Sequence, residues 1–253
     1  GFLPVRVKGT SAPKTTVELD ISKSTQFLSA LLMMAPVLKA DLQIRITSDK
    51  KDGSYIRITR KMIEQFGVTT EFDGESYRIK GNQTYRAREY QIEPDVSAAC
   101  YFYAMAVLTG GRALVGEVHE DSMQGDKKFL EVLKSLGAKV NDTSKGIEVI
   151  GNAKGIYPGI EVNMNDFSDQ TMTLAALAPF AQTPTKITGI GHIRLQESDR
   201  LSAIATELTK MGIEVKEGED FLVIQPGKVQ PSQVETYEDH RMAMALDRKS
   251  TRL

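Results

Sequence analysis

The stretch SDRLSAIATELTKMG, Ser198 to Gly212, spaces Leu201, Ile204, Ala205, Leu208 and Met211 at helical intervals and then stops on glycine. That spacing predicts a helix with one buried face. The closing glycine suits the left-handed conformation that ends helices and that branched residues avoid. YIRITRKMIEQFG, Tyr55 to Gly67, and GDKKFLEVLKSLG, Gly125 to Gly137, read the same way. The three glycines recur at roughly 70-residue intervals, which marks an internal structural repeat.

Working outward, each of these helices follows a strand: LQIRIT, RALVGEV or TKITGI. Each strand follows an apolar helix entered through a small or hydroxyl-rich turn: SKSTQFLSALLMMAP at Ser22, PDVSAACYFYAMAVL at Pro94, and SDQTMTLAALAPFA at Ser168. Strand pairs such as AKVNDTSKGIEVI and IEVKEGEDFLVI close the copies. The fold class is therefore α/β, built of about three αβαββ-like units, with TYEDHRMAMAL at Thr236 opening a fourth. A boundary is expected within YQIEPDVS, Tyr90 to Ser97, where polar sequence gives way to a proline-containing turn. This divides residues 1–92 from 93–246. Two lobes joined there would leave a cleft, and helix entrances facing it would offer unpaired N–H groups to phosphates and carboxylates.

The 253 residues carry a formal charge of −1 with both signs scattered, which lacks the basic footprint of a nucleic-acid or membrane-surface binder. The longest apolar run, FLSALLMMAPVL from Phe27, is shorter than a membrane span and contains Pro36. A single cysteine, Cys100, sits inside an apolar helix, so it reads as a buried structural thiol in a reducing, cytoplasmic setting. The expected partners are small molecules, with no nucleic acid and no membrane, and the expected state is a monomer.

Four helix entrances carry more polar chemistry than capping requires. Ser22 or Ser24 is the expected N-cap of the first helix, yet Ser24, Thr25 and Gln26 together also make a neutral cradle for a phosphate. Asp169 reads either as an N-cap or as a working carboxylate. Glu197 and Arg200 stand at i and i+3, the spacing of a solvated ion pair or of a site. Asp239, His240 and Arg241 precede MAMAL in an abrupt change from charge to core. Three histidines without paired ligand spacing argue against a metal site.

STQFLSALLMMAP, YIRIT, SMQGD, SDQTMT, QESDRLSAIATELTKMG and YEDHRMAMAL, in this order and spacing, resemble the enolpyruvyl transferase family, in its shikimate 3-phosphate branch, over nearly all of residues 3–246. The resemblance implies two lobes of repeated βαβαββ units, an inside-out α/β barrel. It also implies transfer of the enolpyruvyl group of phosphoenolpyruvate to the 5-hydroxyl of shikimate 3-phosphate with release of phosphate, in aromatic amino acid biosynthesis. On this resemblance Ser24, Thr25, Gln26, Ser54, Tyr55, Asp169, His192 and Gln196 would hold shikimate 3-phosphate. Gln26, Arg200, Asp239, His240 and Arg241 would hold phosphoenolpyruvate. Asp169 would accept a proton and Glu197 would protonate the methylene carbon. Such chemistry needs an acid/base carboxyl system and a cationic clamp, and no metal or organic cofactor. Arginine fits the clamp because its planar fork binds carboxylate or phosphate bidentately.

The match has departures. Gln196 stands where the family often has lysine, His192 where it often has asparagine, and Asp52 where a serine is common. An aspartate facing a phosphate would be repulsive, so the loop before Tyr55 is expected to turn it away. The alternatives left open are a transferase acting on UDP-N-acetylglucosamine, a nucleic-acid-binding module of the same repeat, and a ligand-binding remnant without activity. Gly1 opens without an initiator methionine, and part of the family's site residues falls outside the chain, so both ends are expected to be cut and the segment alone to be inactive. DRKSTRL, Asp247 to Leu253, is what the codons GAT CGG AAG AGC ACA CGT CTG would encode, which resembles a common sequencing adapter read in frame, and it is expected to be an artefact.

Overall fold

A computed structural model describes residues 4–6, 8–10, 14–152 and 155–246. The tail read as an artefact, 247–253, lies outside the described residues. The strand-like start is not a strand where it is described, at residues 4–6 and 8–10. The chain forms two compact units, Gly1–Tyr90 and Gln91–Leu253.

The first unit runs β1 (Thr16–Leu19), α1 (Gln26–Met34), β2 (Leu42–Ile46), α2 (Ser54–Gln65), β3 (Glu71–Phe72) and β4 (Ser76–Ile79). Its sheet has the order β1-β2-β4-β3, with β1 and β2 parallel and the other neighbours antiparallel. Alternation along β2 turns Leu42, Ile44 and Ile46 inward. They meet Leu28 and Leu32 of α1 and Ile56 and Ile63 of α2 in a core closed by Tyr77. Pro36 cannot donate to the helical ladder, and α1 passes there into a 3-10 turn, Ala35–Val37. The N-cap of α1 is Thr25, not Ser22 or Ser24, and it makes no side-chain cap bond; Ser24 Oγ instead accepts from the Gln26 N–H at 3.2 Å.

The second unit opens with α3 (Val96–Thr109), β5 (Arg112–Gly116), α4 (Phe129–Ser135), β6 (Lys139–Thr143) and β7 (Gly146–Ile150). It continues with β8 (Glu161–Asn163), α5 (Thr171–Leu177), β9 (Thr185–Thr188), α6 (Arg200–Lys210), β10 (Val215–Glu217), β11 (Leu222–Ile224) and α7 (His240–Leu246). The sheet β8-β9-β11-β10 repeats the first unit's topology strand for strand, including the parallel leading pair. The sheet β5-β7-β6 matches its last three strands. The repeat is thus βαβαββ, the unit implied by the family resemblance. Gly67, Gly137 and Gly212 all take positive φ, +86°, +86° and +80°, as helix-ending glycines should.

One detail differs from the sequence reading. On α6 the buried stripe runs through Leu201, Ala203, Ile204 and Leu208, with Arg200 and Glu207 enclosed in it, while Ala205 and Met211 are only half-buried. The apolar helix α3 is covered on most sides, and Cys100 is enclosed in it; burial pushes its thiol well above the ordinary range, as fits a packing residue.

Candidate functional site

Three helix entrances of the second unit converge on one side chain. Arg200, the first residue of α6, is 1% exposed, although it is among the longest and most polar of side chains. Burying a guanidinium costs several kcal/mol unless its charge and donors are matched. Here Nε donates to Asp239 Oδ2 at 2.7 Å, and Nη2 donates to Asp239 Oδ1 at 3.3 Å and to Glu197 Oε2 at 2.6 Å. Nη1 donates to Asp169 Oδ1 at 3.1 Å and to the side-chain carbonyl of Gln196. The other carboxylate oxygen of Asp169 pairs with Arg241 Nη2 at 2.9 Å, so Asp169 bridges two arginines. Asp169 is therefore not an N-cap. Nor is Glu197–Arg200 a solvated surface pair, although Glu197 itself remains half exposed.

Asp239 is enclosed, with a side-chain exposure of 0%. Its carboxylate also accepts from Ser198 Oγ at 3.0 Å and from the Arg241 N–H at 2.9 Å, capping the start of α7. Burial disfavours its charge, but the bonds from Arg200, the Arg241 N–H and Ser198 outweigh it and hold the carboxyl below the usual range. Its place is behind Arg200, fixing the guanidinium. His240 is largely exposed at the same entrance, with Nδ1 4.0 Å from Asp239. His192 Nε2 lies 2.8 Å from Ser168 Oγ, beside the turn that carries Asp169.

Residues that the sequence reading did not single out support this cluster. Asp126, within the quoted SMQGD, is buried and accepts from Gln170 Nε2 at 2.9 Å, and Thr173 Oγ1 donates to the Gln170 carbonyl at 3.0 Å. Burial pushes the Asp126 carboxyl above its ordinary range, the Gln170 bond opposes the shift, and the neighbouring Asp169 adds to it. Glu207 is fully enclosed two turns along α6. It accepts from Lys210 Nζ at 2.8 Å, from Tyr237 OH at 2.7 Å and from the Glu235 N–H at 3.2 Å. Tyr237 and Glu238 both have positive φ, +56° and +55°, a conformation that costs a side-chain-bearing residue roughly 1–3 kcal/mol. Glu207 thus pins the strained turn that delivers Asp239 to Arg200. The available signals were a glutamate on an otherwise apolar helix face and an aspartate beside a core helix.

In the first unit, the entrances of α1 and α2 lie side by side: a Cβ placed on Gly53, the N-cap of α2, would stand 3.6 Å from Thr25 Cγ2. Ser24, Thr25, Gln26, Ser54 and Tyr55 therefore share one hydroxyl-rich patch, with Lys50 Cε also 3.6 Å from that Cβ and Tyr55 55% exposed. Asp52 is drawn off by Arg57 at 2.8 Å and by Tyr77 OH at 3.2 Å.

A groove of about 860 Å³ lined by Leu108, Phe180, Met211, Val229 and Leu246, among others, is mainly apolar and contains none of the charged cluster. Among the described residues no helix is long and apolar enough to cross a membrane.

The sequence matches the family described as EPSP synthase (3-phosphoshikimate 1-carboxyvinyltransferase) over residues 1–247. It is 41% identical to the 3-phosphoshikimate 1-carboxyvinyltransferase of Trichormus variabilis over 97% of this chain and 58% of that protein. It is 42% identical to the Serratia proteamaculans enzyme of the same name over 97% of this chain and 57% of that protein. For the Brassica napus enzyme, which is described as chloroplastic, the identity is 40% over 96% of this chain and 49% of that protein. The chain thus spans about half the length of these relatives. Among solved structures, EPSP synthase from Acinetobacter baumannii superposes with a TM-score of 0.74 at 22% identity, over 92% of this chain and 55% of that one. The enolpyruvyl transferase NikO from Streptomyces tendae gives 0.66 at 19% identity, over 92% and 56%. These likenesses establish the enolpyruvyl transferase fold and do not favour the UDP-N-acetylglucosamine or nucleic-acid alternatives. With a family match over almost its whole length, the chain belongs to the EPSP synthase family.

Proposed function

We propose that the protein carrying this chain transfers the enolpyruvyl group of phosphoenolpyruvate to the 5-hydroxyl of shikimate 3-phosphate and releases phosphate. The observation that carries this reading is the Asp169–Arg200–Asp239 network with Glu197 and Arg241 at its edge. It combines carboxylates able to move protons with guanidiniums able to hold an anion.

In the first unit, Ser24, Thr25, Gln26 and Ser54 bind the shikimate phosphate, with Tyr55 beside the ring and Gln26 also touching phosphoenolpyruvate. In the second unit, His192, Gln196 and Asp169 hold the shikimate side, while Arg200, Arg241 and His240 hold phosphoenolpyruvate and Asp239 fixes Arg200. Glu197 gives a proton to C3, and the 5-hydroxyl oxygen adds to C2 as Asp169 takes its proton. Loss of a proton from the new methyl group and cleavage of the bond to phosphate then restore the double bond. Placement and charge supply the acceleration. The reading is of a cytoplasmic monomer with small-molecule partners.

The test is phosphate release from phosphoenolpyruvate and shikimate 3-phosphate by the protein encoded by the complete gene. Asp169→Asn, which keeps an acceptor oxygen for Arg200 and Arg241, is expected to lower turnover by about 10²–10⁴, the usual contribution of a positioned proton acceptor, in a protein that still folds. Near-normal turnover in the folded variant rejects the assignment.

A further inference from the structure

A guanidinium has five N–H donors. On Arg200 two go to Asp239, one to Glu197, one to Asp169 and one to Gln196, so every donor is occupied. An anion that binds Arg200 must therefore displace a partner. Asp239 cannot leave: it is enclosed and also held by Ser198 and the Arg241 N–H. Asp169 is tied to Arg241 as well. Gln196 and Glu197 are the exposed pair, both on the segment just before α6, where side-chain rotation alone carries them into solvent.

We infer that Gln196 and Glu197 are exchangeable guards on Arg200, which an incoming carboxylate or phosphate replaces, releasing Glu197 from its ion pair as it binds. The inference deepens the proposed function and rests on it. Charge counting gives the same answer. Asp169, Glu197 and Asp239 face Arg200 and Arg241, three negative groups against two positive ones. Adding an anion with Glu197 in place enlarges the excess by the ligand's whole charge, whereas exchanging it for Glu197 removes one negative group from the contact and enlarges the excess less. Gln196 leaves without any charge penalty. A lysine in its place offers no acceptor to Arg200 and repels it. Gln196 is thus a guard in the unliganded protein, and not only a weakened substitute for a lysine. The exchange also orders the chemistry, because Glu197 is freed to turn towards a bound molecule only once that molecule has arrived.

The experiment is calorimetric titration of phosphoenolpyruvate, and separately of inorganic phosphate, into the 253-residue chain and its Glu197→Gln and Gln196→Ala variants. Both substitutions are at exposed positions, and circular dichroism melts check that the fold survives. Removing a charge-assisted bond to Arg200 is expected to tighten anion binding about tenfold for Glu197→Gln. Removing the neutral one should tighten it about threefold for Gln196→Ala. Unchanged or weaker binding in Glu197→Gln overturns the exchange, as does the absence of binding by all three chains. The phosphate-release assay judges the proposed function separately, so the exchange can fail while that reading stands.

Discussion

At the start of α1 the repeat carries Ser24, Thr25 and Gln26, whereas at the matching start of α5 it carries Asp169, Gln170 and Thr171. The second helices differ in the same sense: α2 begins with Gly53, Ser54 and Tyr55, and α6 with Asp199, Arg200 and Leu201. One topology, β1-β2-β4-β3 in one unit and β8-β9-β11-β10 in the other, therefore presents an exposed, hydroxyl-rich patch in the first case and a buried charge network in the second. The sheet and helix cores specify the entrances' positions, and a few residues at each entrance specify their chemistry. Neutral donors suit the binding of a phosphate that stays intact. Paired carboxylates and guanidiniums suit a group whose charge and protons change during reaction.

The largest expected break between the two regions comes from deleting one arginine in each. Arg200→Ala leaves Asp239 enclosed without its counter-ion and should destabilise the second unit by about 3–5 kcal/mol, measured by urea unfolding. Arg57→Ala removes an exposed pair with Asp52 and should cost about 0–1 kcal/mol. Similar costs for the two would mean that the network around Arg200 is no more than a surface pair.

A smaller effect sharpens the comparison through pH. The Asp126 carboxyl is raised by burial, so the folded chain holds its proton to higher pH than the unfolded chain does. Its contribution to stability is thus present below the ordinary aspartate range and is lost as pH rises through the raised value. Asp126→Asn keeps an acceptor for Gln170 and cannot ionise. Its urea midpoint should fall less than that of the parent as pH rises from below the ordinary aspartate range towards neutrality. Parallel curves would show that Asp126 is not protonated preferentially in the folded state.

Much of this was legible in the sequence because periodicity and turn chemistry are local. The three glycine-ended helices, the strands between them and the clustering of polar residues at helix entrances follow from spacings of a few residues. The strand order is a tertiary result and could not be read that way. The same holds for Arg200: at i+3 from Glu197 its spacing fits a solvated pair or a site alike, and only Asp239, 39 positions away, makes it a buried pair. Glu207 is one polar residue among apolar ones on α6, and its function appears only when Tyr237 and the strained turn reach it. Asp126 was inside a quoted motif, but its burial depends on packing against α3 and Gln170.

The assignment of Arg200 and Arg241 as the anion-handling residues of the second unit, with carboxylates as their resting partners, belongs to the proposed function. It is tested most directly by nitrogen-15 NMR of the arginine side chains while phosphoenolpyruvate is added. Arg194 serves as an internal control, because it is held away from the cluster by Asp199, Glu217 and the Gly218 carbonyl. The account predicts that the Arg200 and Arg241 signals move with ligand concentration while those of Arg194 stay in place. Stationary Arg200 signals at saturating ligand would contradict it.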